Sequence, residues 1–497
     1  MKLRVKDIAV CTGSISIAIL NFSDAHKMDL HYADRIRIRS KRKDVIASVD
    51  ITTASDFVLP GEIGLFEEVY RKLNVKDNDV VEVHIEKKPK SLGFIKEKLQ
   101  GKVLNYEQMR SITDDLISDK LTDIEIAYFV SACFTQELTN DEIVYLTKAM
   151  VDTGKKLELK EKIVVDKHCI GGVAANRTTM IVVPIVVAAG LIIPKTSSRA
   201  ITSAAGTADT VEVLCDVSFS LEKMKKIVKQ VGGCLVWGGA VDLAPADDKI
   251  IRVEQPLSLD PTGQLVASIM SKKKAVGATH VLIDIPIGKG TKAGNMKKAL
   301  ELKRKFIYVS KAIGIKVKVV ITDGSQPIGN GVGPVLEARD VLWTLQNSKN
   351  AAQDLKAKSI ELAGHMIELA GKAKKGEGRK IARQILEKGL AYIKFVEILR
   401  AQGAKVIYPE QIELAAFRYD ICASKSGRVL HVDNSGINKV ARIAGAPVDP
   451  KAGLYLYVHK GYNVKKGEKL LTIYADSKER LEFAKNAFKT LEPIEIK

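Results

Sequence analysis

Cysteine is scarce in this chain and badly spaced for chemistry. Its six cysteines, Cys11, Cys133, Cys169, Cys215, Cys234 and Cys422, form no CxxC pair and no Cys/His ligand pattern, and no secretory signal precedes them. That excludes a disulfide framework and a zinc site, and free thiols in a reducing cytoplasm are expected. Long hydrophobic runs are lacking as well. The longest apolar stretch, residues 180–193, carries Pro184 and Gly190 and is shorter than the roughly 20 residues a membrane span needs. There is no metal-ligand cluster, no nucleophile elbow and no redox motif, so metal, acyl-enzyme and redox chemistry have no carrier. No cofactor is expected.

Positive charge, by contrast, is abundant, at a formal +19. The lysines are interleaved with acids rather than gathered in a tract, which argues against nucleic acid and for a basic field that attracts phosphorylated small molecules. With 46% hydrophobic and 28% charged residues the composition is globular, and 497 residues are too many for one core, so two to four domains are expected.

The chemistry concentrates between residues 166 and 212. An apolar β-branched run at 163–165 leads into Asp166-Lys167-His168, then Gly171 and Gly172, then a long apolar segment. This reads as a buried strand delivering a glycine turn to a helix N-terminus, where close backbone N–H groups and the helix dipole favour an anion. About thirty residues later a second apolar strand ends in Lys195, Thr196, Ser197, Ser198, Arg199, Thr202, Ser203 and Thr207, two cations and six hydroxyls. Two such loops side by side at the carboxyl ends of strands would make one polyanion pocket. The bland alternative is a pair of solvated cations and a set of helix-capping hydroxyls.

Elsewhere the chain reads more plainly. Short β-patterned segments at 3–10, 15–20, 35–39, 45–52 and 80–84, with a helix near 65–73, predict a separate β-rich domain over residues 1–85, followed by a lysine-rich linker at 86–90. Helical spacing from 105 to about 152, with capping-box patterns at Thr122…Glu125 and Thr139…Glu142, predicts a helical subdomain over 92–160 that includes part of 240–275. Asp260-Pro261-Thr262 looks like a helix start, with Ser268 and Lys272 four apart on one face. Taken alone, Asp260 is an N-cap and the pair a solvated face. Strands at 280–287 and 315–321 alternate with helices at 296–313 and 335–345, giving a mixed α/β domain over 161–420. Its Gly329-Asn330-Gly331-Val332-Gly333 run is taken as helix–sheet packing. Residues 421–497 resemble an α+β barrel-sandwich module without a modification site.

The central motifs carry a resemblance. Lys167-His168-Cys169-Ile170-Gly171-Gly172 and Ser197-Ser198-Arg199…Ala205-Gly206-Thr207-Ala208-Asp209-Thr210-Val211-Glu212 are similar to the KHSTGG and SGR…TGGTxDxLE segments of the family that includes thymidine and pyrimidine nucleoside phosphorylases. The N-terminal domain, the Asn176-Arg177-Thr178 run and Ser198-Arg199-Ala200-Ile201-Thr202-Ser203 resemble its archaeal AMP phosphorylase branch. The resemblance implies a multidomain α/β fold with a barrel-like N-terminal assembly domain and a homodimer or larger homo-oligomer. It implies phosphorolysis of AMP to adenine and ribose 1,5-bisphosphate, with CMP and UMP as further substrates, in cytoplasmic nucleotide salvage. Inorganic phosphate is then a co-substrate near Lys167, Ser197 and Thr207. AMP falls on Gly172, Ser198, Arg199, Ala200, Ile201, Thr202, Ser203, Thr207, Ser268 and Lys292, and Asp260 donates a proton to the leaving base.

For the 5′-phosphate, the candidate cations are Lys292 first, then Lys289, Lys195 and Arg199. Two departures stand out: Cys169 replaces the usual serine of the phosphate loop, and Ala174-Ala175 replaces Pro-Gly. The alternatives are a pyrimidine nucleoside phosphorylase and a nucleotide-binding protein without activity.

Overall fold

Alternation of β-branched and polar residues in the first 85 positions is what closes a barrel. Six strands, β1 (Lys2–Asp7), β2 (Ile17–Asn21), β3 (Arg35–Arg39), β4 (Asp44–Thr52), β5 (Glu62–Leu65) and β6 (Val80–Ile85), pair in the order β1-β5-β2-β4-β3-β6 and return to β1. Inward residues such as Leu3, Leu20, Ile36, Ile63 and Val81 fill it. The computed structural model describes the whole chain except residues 14, 42, 55 and 258. Sequence patterning misses β5 and the short helix Phe22–Lys27, both too brief to show a period.

Two compact units divide the chain. The first comprises Met1–Thr153 and Pro245–Gln264, the second Gly154–Ala244 and Leu265–Lys497. Beside the barrel, the first unit holds helices Ser91–Leu99, Tyr106–Ile117, Asp123–Thr135, Asn140–Thr153 and Pro245–Leu257. Both capping-box patterns are real caps: Glu125 accepts from the Thr122 N–H at 2.9 Å and Glu142 from the Thr139 N–H at 2.8 Å. Glu142 does more than cap. It is fully buried, accepts from the Leu104 N–H at 2.9 Å, and pairs with the buried Lys98 at 2.9 Å.

In the second unit, β7 (Val165–Cys169), β8 (Ile193–Ser197), β9 (Gly233–Trp237), β10 (His280–Ile287) and β11 (Lys316–Asp323) are all parallel. Sheet β11-β10-β7 meets sheet β8-β9 through a bridge between Val164 and Ile192, so β7 is central and the carboxyl ends of all five strands share one edge. The apolar run at 180–193 is accounted for by the buried helix Thr178–Ala188 and the entry into β8.

The expected strand at 163–165 is displaced. The strand proper is β7, which carries the polar Asp-Lys-His triplet inside it. The glycine turn follows, but the helix starts only at Thr178, so Gly171 and Gly172 lie in a loop and not at a helix N-terminus.

After β12 (Gly331–Val332) come β13 (Phe417–Cys422), β14 (Gly427–Val432), β15 (Gly453–Leu456), β16 (Asn463–Val464), β17 (Lys469–Ala475) and β18 (Ile494–Ile496), in sheets β12-β15-β17-β13 and β16-β14-β18. Helices Asn434–Ile443 and Lys478–Leu491 pack with them. The glycine run thus supplies an edge strand to the C-terminal sheet, since β12 pairs with β15, as well as leading into helix Pro334–Leu345. Among the described residues no helix is long and apolar enough to cross a membrane.

Removing one partner of a buried ion pair strands the other charge, which costs about 3–5 kcal/mol. Lys98→Met should therefore lower the stability of the first unit by about that amount in urea denaturation, whereas an unchanged transition would mean that Glu142 is held by its cap bonds alone.

Candidate active site

Strand alternation sorts the triplet of β7 onto two faces. On one side Asp166, fully buried, accepts from Lys273 at 2.7 Å and lies 4.0 Å from Lys195. Lys195 also donates to the Thr196 carbonyl. On the other side Lys167, 1% exposed, donates to the hydroxyls of Thr178 at 2.8 Å and Thr179 at 3.3 Å, where helix Thr178–Ala188 begins. Asp284 sits opposite Cys169 across the ladder and pairs with Lys358 at 3.4 Å. Four ammonium groups, three buried and one nearly so, thus face two buried carboxylates.

Such a surplus perturbs the ionisable groups around it. Burial, followed by repulsion from Lys273, pushes Lys195 down to about 7. Burial also lowers Lys167, against attraction from Cys169 and Asp284. His168 falls well below its ordinary value, through burial and then through Lys273, Lys195 and Lys272, so its imidazole is neutral at pH 7. Cys169 is pushed up to about 11, chiefly by burial, which makes it a thiol and no nucleophile. What this arrangement suits is an anion, which supplies the charge that the lysines and the helix N-terminus lack.

The second loop follows β8. Ser197 ends the strand with its Oγ buried and without a protein partner, a hydroxyl placed to serve a ligand. Beyond it the loop folds back on itself. Asp209 accepts from the N–H groups of Ala200 at 2.7 Å and Gly206 at 2.8 Å, and a Cβ on Gly206 would meet the Arg199 carbonyl carbon at 2.4 Å. Arg199 lies over the Trp237 ring at 4.8 Å and is bound to Glu212 at 2.6 and 2.8 Å and to Asp209 at 3.1 Å. Its charge is therefore already answered by two carboxylates. Ser203 donates to the Ala205 carbonyl at 2.8 Å, while Ser198, Ile201 and Thr202 are exposed.

Arg177 joins the two loops. Its guanidinium binds the buried Glu337, the Ala205 carbonyl and, at 3.3 Å, the Thr207 hydroxyl, while its neighbour Asn176 accepts from Thr178 at 2.9 Å. Lys167, Thr178, Asn176, Arg177 and Thr207 are thus one connected group. Sequence reasoning registers Asn176 and Arg177 only as part of a run and Asp209 only as a motif letter. The available signal is a buried arginine beside a helix start, but its partners lie up to 160 residues away.

A third loop, residues 288–292 after β10, touches the first. A Cβ on Gly172 would meet Thr291 Cα at 2.5 Å and Lys292 N at 3.0 Å, and at φ +90° only glycine is at ease there. Gly172 and Lys292 are therefore neighbours, and Lys289 and Lys292 are both exposed. Ser268 and Lys272 lie on helix Thr262–Ala275. Asp260 belongs to the first unit and is exposed, so its own surroundings do not supply the burial a proton donor needs.

Comparison with known proteins identifies the domains. Residues 93–154 match the helical bundle domain of a glycosyl transferase family, 161–392 its a/b domain, and 429–495 the pyrimidine nucleoside phosphorylase C-terminal domain. The chain is 46% identical to AMP phosphorylase of Thermococcus kodakarensis (strain ATCC BAA-918 / JCM 12380 / KOD1) over 497 residues, 100% of this chain and 98% of that protein. It is 45% identical, over 97% of this chain and 93% of that protein, to a Legionella pneumophila (strain Paris) protein named, provisionally, a thymidine phosphorylase. The chain belongs to the thymidine and pyrimidine nucleoside phosphorylase family. Anthranilate phosphoribosyltransferase of Thermus thermophilus shares its fold at a TM-score of 0.53 and 19% identity, over 62% of this chain and 98% of that one.

Within this family frame, Cys169 puts a thiol, which accepts from Asn176 Nδ2 at 3.4 Å, where the family motif has a hydroxyl. Cys169→Ser should lower the KM for phosphate about fivefold, the worth of one hydrogen bond of about 1 kcal/mol, with little change in kcat. An unchanged KM in initial-rate measurements would place this side chain outside phosphate contact.

Lys195 gives a stability prediction. Between pH 7 and 10.5 the unfolded chain keeps a proton on it that the folded chain has released, so stability rises with pH across that window. Below pH 7 both states are protonated and the burial penalty is constant. Lys195→Met should flatten the rise, measured as unfolding free energy at several pH values.

Proposed function

We propose that this phosphorylase acts on nucleoside 5′-monophosphates, converting AMP and inorganic phosphate to adenine and ribose 1,5-bisphosphate, with CMP and UMP as further substrates. The observation that carries the reading is the contact of Gly172 with Thr291 and Lys292. It sets the exposed cations of the third loop beside the first loop, which leaves the strand that carries Lys167, so that two anionic groups of one substrate pair can be held at once. Relatives named AMP phosphorylase match the chain over its full length at 44–46% identity, which supports the same choice.

In this mechanism phosphate lies among Lys167, Ser197 and Thr207, its water shell replaced by fixed donors. One of its oxygens attacks C1′ of the ribose as the bond from C1′ to the base nitrogen breaks. Ribose becomes the 1-phosphate, and the electron pair leaves with adenine. Adenine is a poor anion, so a proton delivered to a ring nitrogen lowers the barrier, and we assign that proton to Asp260, whose desolvation must come with the bound base. Gly172, residues 198–203, Thr207 and Ser268 line the nucleotide, and Lys292 meets its 5′-phosphate. Lys289 is the second cation there, because Arg199 is committed to Asp209 and Glu212.

Neutral His168 and the neutral thiol of Cys169 add no charge of their own to the phosphate loop. The enzyme needs no cofactor in this scheme. We take it as a cytoplasmic homodimer or larger homo-oligomer, with the N-terminal barrel as its assembly module and the C-terminal domain as barrel-sandwich-like.

The test is base release from AMP, adenosine and thymidine, each with and without phosphate. Phosphate-dependent adenine release from AMP alone is expected, and Asp260→Asn should reduce kcat by about 10²–10⁴-fold. Release from nucleosides but not nucleotides would transfer the reading to the nucleoside phosphorylases.

A further inference from the structure

Helix Asn434–Ile443 lies far along the chain from the first two phosphate loops, yet one of its faces is bonded to both. Asn434, 1% exposed, uses both ends of its amide: Oδ1 accepts from the Ala174 N–H at 2.9 Å, and Nδ2 donates to the Gly324 carbonyl at 2.9 Å. Four residues on, Asn438 Oδ1 accepts from the Ala204 N–H at 3.0 Å. Another four on, Arg442 donates to the Ile201 carbonyl at 2.8 Å. The spacing puts the three side chains on one helical face. Ala174 belongs to the loop after β7, Ile201 and Ala204 to the loop after β8, and Gly324 to the turn after β11.

Packing repeats the pattern. Ala174, Ala175 and Ala204 are buried in the same apolar cluster as Ile437, Val440 and Ala441 of this helix. The Ala174-Ala175 departure therefore has a physical role, because its methyl groups join the core of the C-terminal module. Gly290, in the third loop, comes near as well: a Cβ there would be 3.9 Å from the Asn434 side chain.

We propose that Asn434 and Asn438 are positioning residues for phosphorolysis, with the C-terminal helix acting as a ruler that fixes the spacing of the two phosphate loops. The inference rests on the phosphorylase reading. One turn of helix sets the rise between the two asparagines at about 6 Å, a stiff distance that neither loop could define alone. Misplacement of reacting groups by about 1 Å can cost on the order of 100-fold in rate, so loss of the ruler acts on phosphate before it acts on the fold.

The experiment compares Asn438→Leu, which keeps the shape and removes the acceptor, with Asn438→Ala as a milder truncation should the first misfold. Lys439→Ala, exposed on the same helix, is the control. Two readouts are taken: phosphate binding by calorimetry, with no turnover required, and KM for phosphate against kcat and against KM for AMP. The expected result is weaker phosphate binding and a phosphate KM raised at least about tenfold, the effect of roughly 1.4 kcal/mol in binding. The KM for AMP should change much less, Tm should stay close to wild type, and Lys439→Ala should be unaffected.

Activity that falls only in proportion to a falling Tm, with phosphate KM and binding unchanged, would overturn the proposal and leave the asparagines structural. Wild-type protein that binds phosphate but releases no base would sink the phosphorylase reading while the binding comparison still decides the ruler. Wild-type protein that binds no phosphate would overturn both.

Discussion

One buried aspartate holds two buried lysines, and the centre of this enzyme is arranged around that shortage of negative charge. Asp166 is within ion-pair distance of Lys273 and Lys195, while Lys167 on the opposite face bonds the hydroxyls of Thr178 and Thr179 at a helix start and feels Asp284 only through space. Burying an ammonium group is costly unless it is paired, and a strand at the middle of a parallel array offers no solvent to relieve it. Burial, reinforced by the surplus, keeps His168 neutral and lowers Lys195, and the surplus turns the carboxyl edge of the array into a place where an anion is favourable. Because Lys167 and Lys195 sit on strands rather than on loops, they cannot swing away to find water.

Loops must then be held to that fixed charge with similar precision, and the chain does it by remote bonds. Arg177 ties the first loop to the second, Asp209 closes the second on itself, and glycines at 172 and 206 allow backbone to touch backbone where any Cβ would collide. The C-terminal module meets the same loops through Asn434 and Asn438. A tether of this kind adds no charge of its own, which is an advantage beside an anion site, since amides fix position without disturbing the electrostatics.

Much of this is legible in the residues, and the illegible part has definite causes. The strand at 280–287 and the helix after it have clear apolar periods and fall where patterning puts them. The phosphate-loop motifs are visible as clusters of cations, hydroxyls and glycines. Patterning misplaces the start of β7 because Asp166-Lys167-His168 reads as surface, whereas its charges are met inside the fold by Lys273 and Lys195 on one face and by Thr178 and Thr179 on the other. Arg199 reads as an available cation until Asp209 and Glu212 are found beside it, ten and thirteen positions on, brought back by a turn that no local propensity announces. The asparagines of the C-terminal helix are invisible for a simpler reason: their partners are 260 and 234 residues away.

A site whose buried cations outnumber its carboxylates before substrate arrives has a built-in preference for binding charge that is both dense and correctly placed. Dense charge alone would be satisfied by any small anion at the first loop. In the proposed mechanism correct placement requires the third loop as well, whose backbone approaches the first at Gly172 more closely than a side chain there would allow. On the proposed reading, discrimination between a nucleotide and a nucleoside depends less on adding a cation than on how closely two backbones can approach, and Gly172 sets that limit.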